Sequence, residues 1–135
     1  MSGHTVRKAV ATLTAALTLA AAGVLGSAGT ASAASCYGGE SYFSSDNHYF
    51  PESSSGRFTT TSRCGDINVR IINNIVTPSR KVKVCFYPSS RPSYCQSNYT
   101  TVYGGSWAVV ADDVLDGTKF RLRFEDNWVQ GYVAA

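Results

Sequence analysis

Residues Lys119 to Phe124 read Lys-Phe-Arg-Leu-Arg-Phe, an unbroken alternation of cation and large apolar side chain. Successive side chains of a strand point to opposite faces, so Phe120, Leu122 and Phe124 share one face and Lys119, Arg121 and Arg123 the other, the pattern of a half-buried strand. The surrounding stretch, Ser106 to Asp126, reads as an earlier strand, a turn-bearing connection and this strand. Those two strands are the expected spine of the fold, with Phe120, Leu122 and Phe124 in the core and the cations and nearby aspartates solvated.

Other segments repeat the pattern less cleanly. Ile67, Val69 and Ile71 alternate with polar residues, with breaks expected at Asn73-Asn74 and Thr77-Pro78-Ser79. Arg80 to Tyr87 places Val82, Val84 and Phe86 on one face and Lys81, Lys83 and Cys85 on the solvent side. Weaker strands are expected around Ser41 to Ser44, in the Thr-rich run Arg57 to Thr61, in Asn98 to Tyr103 and in Trp128 to Val133. Trp107 and Trp128 are expected in the core. Pro88 and Pro92 interrupt the chain where a central ladder would need their amides, so 88 to 94 is a connection. Beyond residue 33 no stretch of ten or more residues carries the helical spacing i, i+3, i+4, i+7. Six to eight short strands at turn-separated intervals predict an all-β fold, a small antiparallel β-sandwich.

The first third stands apart. Arg7 and Lys8 precede an apolar run, Ala9 to Val24, and Ala31-Ser32-Ala33 fits a small-x-small cleavage site, so residues 1–33 read as a secretory signal peptide. The alternative is a membrane anchor, but the run is Ala-rich and shorter than the roughly 20 residues a spanning helix needs. The expected product is secreted and extracellular, with no membrane partner in its mature form. Residues 34–135 form one domain, with a loop-rich arm at 34–56 and the sandwich body at 57–135. Setting Arg7 and Lys8 aside leaves ten Lys and Arg against nine Asp and Glu, a net charge of +1. So small a charge offers no overall electrostatic attraction for nucleic acid or anionic lipid.

All four cysteines, Cys36, Cys64, Cys85 and Cys95, follow the leader, and an even count in an exported chain implies two disulfides. Three pairings are open. The sequential one, Cys36 with Cys64 and Cys85 with Cys95, is favoured because the second pair brackets a short loop between two expected strands. That bridge should staple the outer surface or rim. A four-cysteine zinc site would call for C-x-x-C spacing, which is absent, and the expectation is of no metal and no cofactor.

Two resemblances add to this. Val114 to Phe124, Val-Leu-Asp-Gly-Thr-Lys-Phe-Arg-Leu-Arg-Phe, resembles the corner between sandwich strands in fibronectin type III and related modules, where Leu-x-Gly-Thr-x-Tyr turns the chain from one sheet to the other. Phe120 stands where those modules carry tyrosine, so the hydroxyl bond of a tyrosine corner cannot form. The segment Arg57 to Cys64, the Val84-Cys85-Phe86 strand and the Val114 to Phe120 corner together resemble small secreted actinobacterial two-disulfide all-β proteins. That resemblance implies origin and export and carries over no site residue.

Candidate chemistry is sparse. His48 is the one histidine after the leader and sits in the polar segment Asp46-Asn47-His48-Tyr49, with no Gly-x-Ser-x-Gly elbow to pair it with a nucleophile. The aspartates Asp112, Asp113 and Asp116 are expected to cap and solvate a turn; calcium, which takes six to eight oxygens, is their alternative use, although no EF-hand spacing is present. The chain therefore reads as a non-enzyme.

Aromatic content is more informative. All eight tyrosines follow the leader, and Tyr87, Tyr94, Tyr99 and Tyr103 cluster around one expected hairpin. Surfacing together, they would form an amphipathic platform for an extracellular or cell-wall glycan; packed inward, they would stabilise the sheet instead. A second reading uses the closed loop between Cys85 and Cys95, with Ser90, Arg91 and Pro92 near its tip, as a preorganised inhibitor of a secreted hydrolase, protease or glycosidase.

Overall fold

The computed structural model describes residues 35–72 and 78–135. The leader assigned to 1–33 and the break at Asn73-Asn74 lie outside the described residues. Ten strands follow in chain order: β1 Ser41–Ser45, β2 Tyr49–Phe50, β3 Phe58–Thr59, β4 Ile67–Ile71, β5 Ser79–Phe86, β6 Tyr94–Cys95, β7 Thr100–Tyr103, β8 Trp107–Ala111, β9 Lys119–Phe124 and β10 Val129–Ala134. The only described helix is a single turn at 35–37.

Every pairing is antiparallel. One sheet has four strands in the order β1-β10-β4-β8. The other has six: β5 and β9 lie side by side at its centre, β2 and β3 share the far flank of β9, and β6 and β7 share the far flank of β5. The all-β sandwich stapled by two disulfides is thus the observed architecture. Three of its strands have two residues each, which is why a count from alternation alone comes out lower.

Alternation places the core as expected. Ile67, Val69 and Ile71 from one sheet meet Val82, Val84, Phe120, Leu122 and Phe124 from the other, all buried. A chain of phenylalanines, Phe124, Phe43, Phe50, Phe58 and Phe120, runs between the sheets with ring centroids 5.3–5.5 Å apart. Phe43 faces Gly131 across the β1–β10 ladder. A methyl group at 131 would collide with the Arg70 carbonyl and the Phe43 ring, so glycine lets the aromatic chain approach the sheet.

Three expectations need correction. Arg121 is not a solvated cation: it is 9% exposed. The segment around the cis Phe50–Pro51 bond folds over the outer face, so Arg121 donates to the Pro51 carbonyl through Nε at 3.1 Å and Nη2 at 2.8 Å. Trp128 is 68% exposed rather than core: it precedes β10 in the left-handed region, φ 60°, so strand alternation does not govern it and its side chain is left in solvent. Cys85 lies on the outward face of β5, yet is 1% exposed because its register partner Cys95 covers it through the disulfide.

The corner between β8 and β9 does cross from one sheet to the other. Its clasp is Thr60. The Thr60 hydroxyl donates to the Leu115 carbonyl at 2.7 Å and accepts the Thr118 amide at 2.9 Å; the Thr60 amide donates to the Thr118 carbonyl at 3.0 Å, and its own carbonyl accepts from Gly117 at 2.9 Å. Gly117 has φ +76°, which suits a residue without Cβ. A threonine from the loop after β3 thus clasps the corner between the sheets.

Candidate functional site

β5 and β9 run antiparallel with Phe86 opposite Phe120, so the chain leaving β5 and the chain entering β9 meet at one end of the sandwich. The Tyr87 amide donates to the Lys119 carbonyl at 2.9 Å and ties them there. Between the loop after β5 and the loop before β9 lies a groove of about 810 Å³. One wall is the disulfide-closed segment, contributing Tyr87, Ser90, Arg91 and Tyr94; the other carries Asp112, Asp113 and Asp116. Pairing of the two central strands therefore converts two separate sequence features, the stapled loop and the aspartate cluster, into facing walls of one concave site.

Gln96 forms part of the groove and holds its sides together. Its backbone amide donates to the Val84 carbonyl at 2.9 Å, and its side-chain oxygen accepts the Val84 amide at 2.8 Å. The side chain thus replaces a missing ladder residue where β6 gives way to β7. Its Nε2 donates to the Val110 carbonyl at 2.9 Å, linking the two sheets.

Of the four tyrosines singled out from the sequence, two reach the groove. Tyr94 is 44% exposed, packs on Phe86 at 5.3 Å between centroids and accepts a hydrogen bond from Arg91 at 3.0 Å. Tyr87 is half-buried beneath the Arg57 guanidinium, 3.5 Å from the ring centroid. Tyr99 lies instead on the outer face of the six-stranded sheet, with Lys83 Nζ 4.5 Å above its ring. Tyr103, 66% exposed, pairs with Ser79 at the opposite end of β5, about 25 Å from Tyr87 at the usual strand rise. The four do not form one platform.

The loop tip is also informative. Ser90, Arg91 and Pro92 are exposed, but the Arg91 guanidinium lies 4.8 Å from the Tyr94 ring centroid, folded onto its own loop. His48 is at the other end of β9, where Nδ1 sits 3.2 Å from the Phe124 carbonyl; a carbonyl only accepts, so Nδ1 carries the proton in that contact. Among the described residues, the only three Cys, His, Asp or Glu residues whose ligand atoms lie within 4.8 Å of one another are Cys36, Cys64 and Asp66. Those cysteines form a disulfide, as do Cys85 and Cys95, so no free thiolate is offered there.

Sequence reasoning missed the contributions of Gln96 and Leu115 and treated the aspartates as scaffold. The signal that could have found the groove is the matched alternation of Val82 to Phe86 and Phe120 to Phe124, which makes those strands natural neighbours. No protein-family model, curated protein or solved structure matches the chain.

Proposed function

We propose that this protein is a secreted, non-enzymatic binding module that holds a segment of an extracellular or cell-wall polysaccharide in the groove between the 87–94 and 112–118 loops. The observation that carries this reading is the convergence of the disulfide-closed loop and three aspartates on one cavity whose volume lies in the range of small-ligand sites. Carboxylates accept hydrogen bonds from sugar hydroxyls, and the Tyr94 hydroxyl, which accepts from Arg91, keeps its own proton to donate to a sugar oxygen. The bridge limits the ordering cost of the wall that carries it.

The carboxylates support binding rather than hydrolysis. Glycoside cleavage uses two carboxyl groups flanking the scissile bond, whereas the acids of this groove all come from one loop, facing Arg91 and Tyr94. The folding of Arg91 onto Tyr94 ranks the hydrolase-inhibitor reading second, because an inhibitory loop must project its anchor into the partner.

The test is retention on insoluble chitin, cellulose, starch and peptidoglycan. Binding to at least one, lost in Tyr94→Ala and Asp112→Asn, is the expected result; absence of retention on all four sinks the glycan reading. Stoichiometric inhibition of a trypsin-, subtilisin-, papain- or amylase-type enzyme would put the Ser90-Arg91-Pro92 tip in its place.

A further inference from the structure

Net charge conceals how charge is distributed. On the outer face of the six-stranded sheet the register sets Tyr49 opposite Arg123 and Arg123 opposite Lys83, and Tyr99 packs beside Lys83. Arg57, Lys81 and Lys119 extend this row toward both ends, and Arg121 lies beneath it. Six of the ten Lys and Arg after the leader therefore gather on one face.

Among the described residues only Lys81 of these six has a carboxylate partner, Glu125 at 3.1 Å. Arg123 and Lys83 stand directly opposite each other, and like charges in that position oppose sheet pairing. Their nearest compensation is aromatic: Arg123 lies 5.4 Å from the Tyr49 centroid and Lys83 4.5 Å from that of Tyr99. Such contacts leave N–H donors free. A face with a like-charge pair, spare donors and no acid to answer them is complementary to anionic oxygens, and guanidinium matches carboxylate and sulfate groups in particular.

We propose that this face binds a linear acidic polysaccharide, with Arg123 and Lys83 at its centre. The row meets the groove at Lys119, but its centre, Arg123 and Lys83, lies outside the groove, whose acids precede β9. The Pro51 segment covers Arg121 and Cys95 covers Cys85, so the open part of the face is the stretch around Lys81, Lys83 and Arg123, and a chain would lie there. Single-stranded nucleic acid fits less well, because its affinity draws on bases stacking upon open aromatic faces. Here Tyr49 and Tyr99 already have cations over their rings.

The protein is passed over immobilised dextran sulfate and polygalacturonate, which separate sulfate from carboxylate recognition, with unmodified dextran as the neutral control. Retention on at least one acidic polymer at low salt, release as salt rises and passage through neutral dextran are expected. Lys83→Gln combined with Arg123→Gln should weaken binding by about tenfold or more, the scale of lost charge-assisted hydrogen bonds. Lys81→Gln combined with Lys119→Gln changes only exposed side chains and should weaken it by a smaller factor without disturbing the fold. Asp112→Asn, which probes the groove, should leave this binding undiminished. Failure to retain either acidic polymer, or retention unaltered in both double variants, overturns the proposal. So does tighter binding to a single-stranded oligonucleotide or to phosphatidylglycerol vesicles at equal salt.

Discussion

Thr60 and Thr118 hold each other twice: the Thr60 amide donates to the Thr118 carbonyl at 3.0 Å, and the Thr118 amide donates back to the Thr60 hydroxyl at 2.9 Å. The hydroxyl is buried and also serves Leu115. Thr60→Val keeps the shape and removes that oxygen; the Leu115 carbonyl keeps the Thr118 hydroxyl at 2.6 Å, and the Thr118 amide is left with only a longer bond to Leu115 at 3.3 Å. Loss of about 0.5–1.5 kcal/mol in urea unfolding is expected, the scale of a hydrogen bond lost without an orphaned partner, with Thr60→Ser recovering much of it. A wild-type midpoint in Thr60→Val would mean that water replaces the clasp.

Gln96 is a side chain acting as backbone. Replacing it by Ala should destabilise the protein by about 2–3 kcal/mol, since the Val84 amide and the Val110 carbonyl both lose their partners. Hydrogen exchange gives the sharper check: the Val84 amide should exchange much faster, while amides in the β1–β10 ladder keep their protection.

At Gly131 the first atom of any side chain meets backbone, which cannot swing aside. Gly131→Ala should therefore cost about 2–4 kcal/mol, more than the gain a Gly-to-Ala change gives in open chain. Thermal unfolding of the variant, which is expected several degrees lower, measures it.

The two disulfides should separate in their local effects. Removing Cys85–Cys95, which closes 10 residues, and removing Cys36–Cys64, which closes 28, should each cost about 3 kcal/mol. Only the first should speed amide exchange across residues 88–94, because only that bridge closes the groove wall. Equal acceleration there in both variants would show that the wall is held by the body of the sandwich.

Much of this architecture was legible in the alternation of single strands. Val82 to Phe86 and Phe120 to Phe124 could face only one way, and the sequential cysteine pairing followed from the short loop between the second pair. What alternation cannot carry is the partner on the outer face. Arg121 looks identical to Arg123 in the sequence, yet a loop about seventy residues away supplies the Pro51 and Glu52 carbonyls that bury it. Trp128 misled because its size argued for the core, whereas the backbone turns through a positive φ there, just before β10, and leaves the side chain in solvent. The groove was hidden for a related reason: its walls are distant in the chain and meet only once β5 and β9 are known to be neighbours.

The placement of β10 between β1 and β4 has a consequence for the order in which the molecule can assemble. Neither neighbour can close on the other, since each spends its inner edge on β10. A nascent chain that has emerged only as far as Asn127 holds every strand of the six-stranded sheet, but its N-terminal strand still has no seat. The four-stranded sheet, whose Ala134 packs against the Cys36–Cys64 bridge, is therefore the last to be completed, and the first bridge in the sequence is the one whose surroundings mature latest.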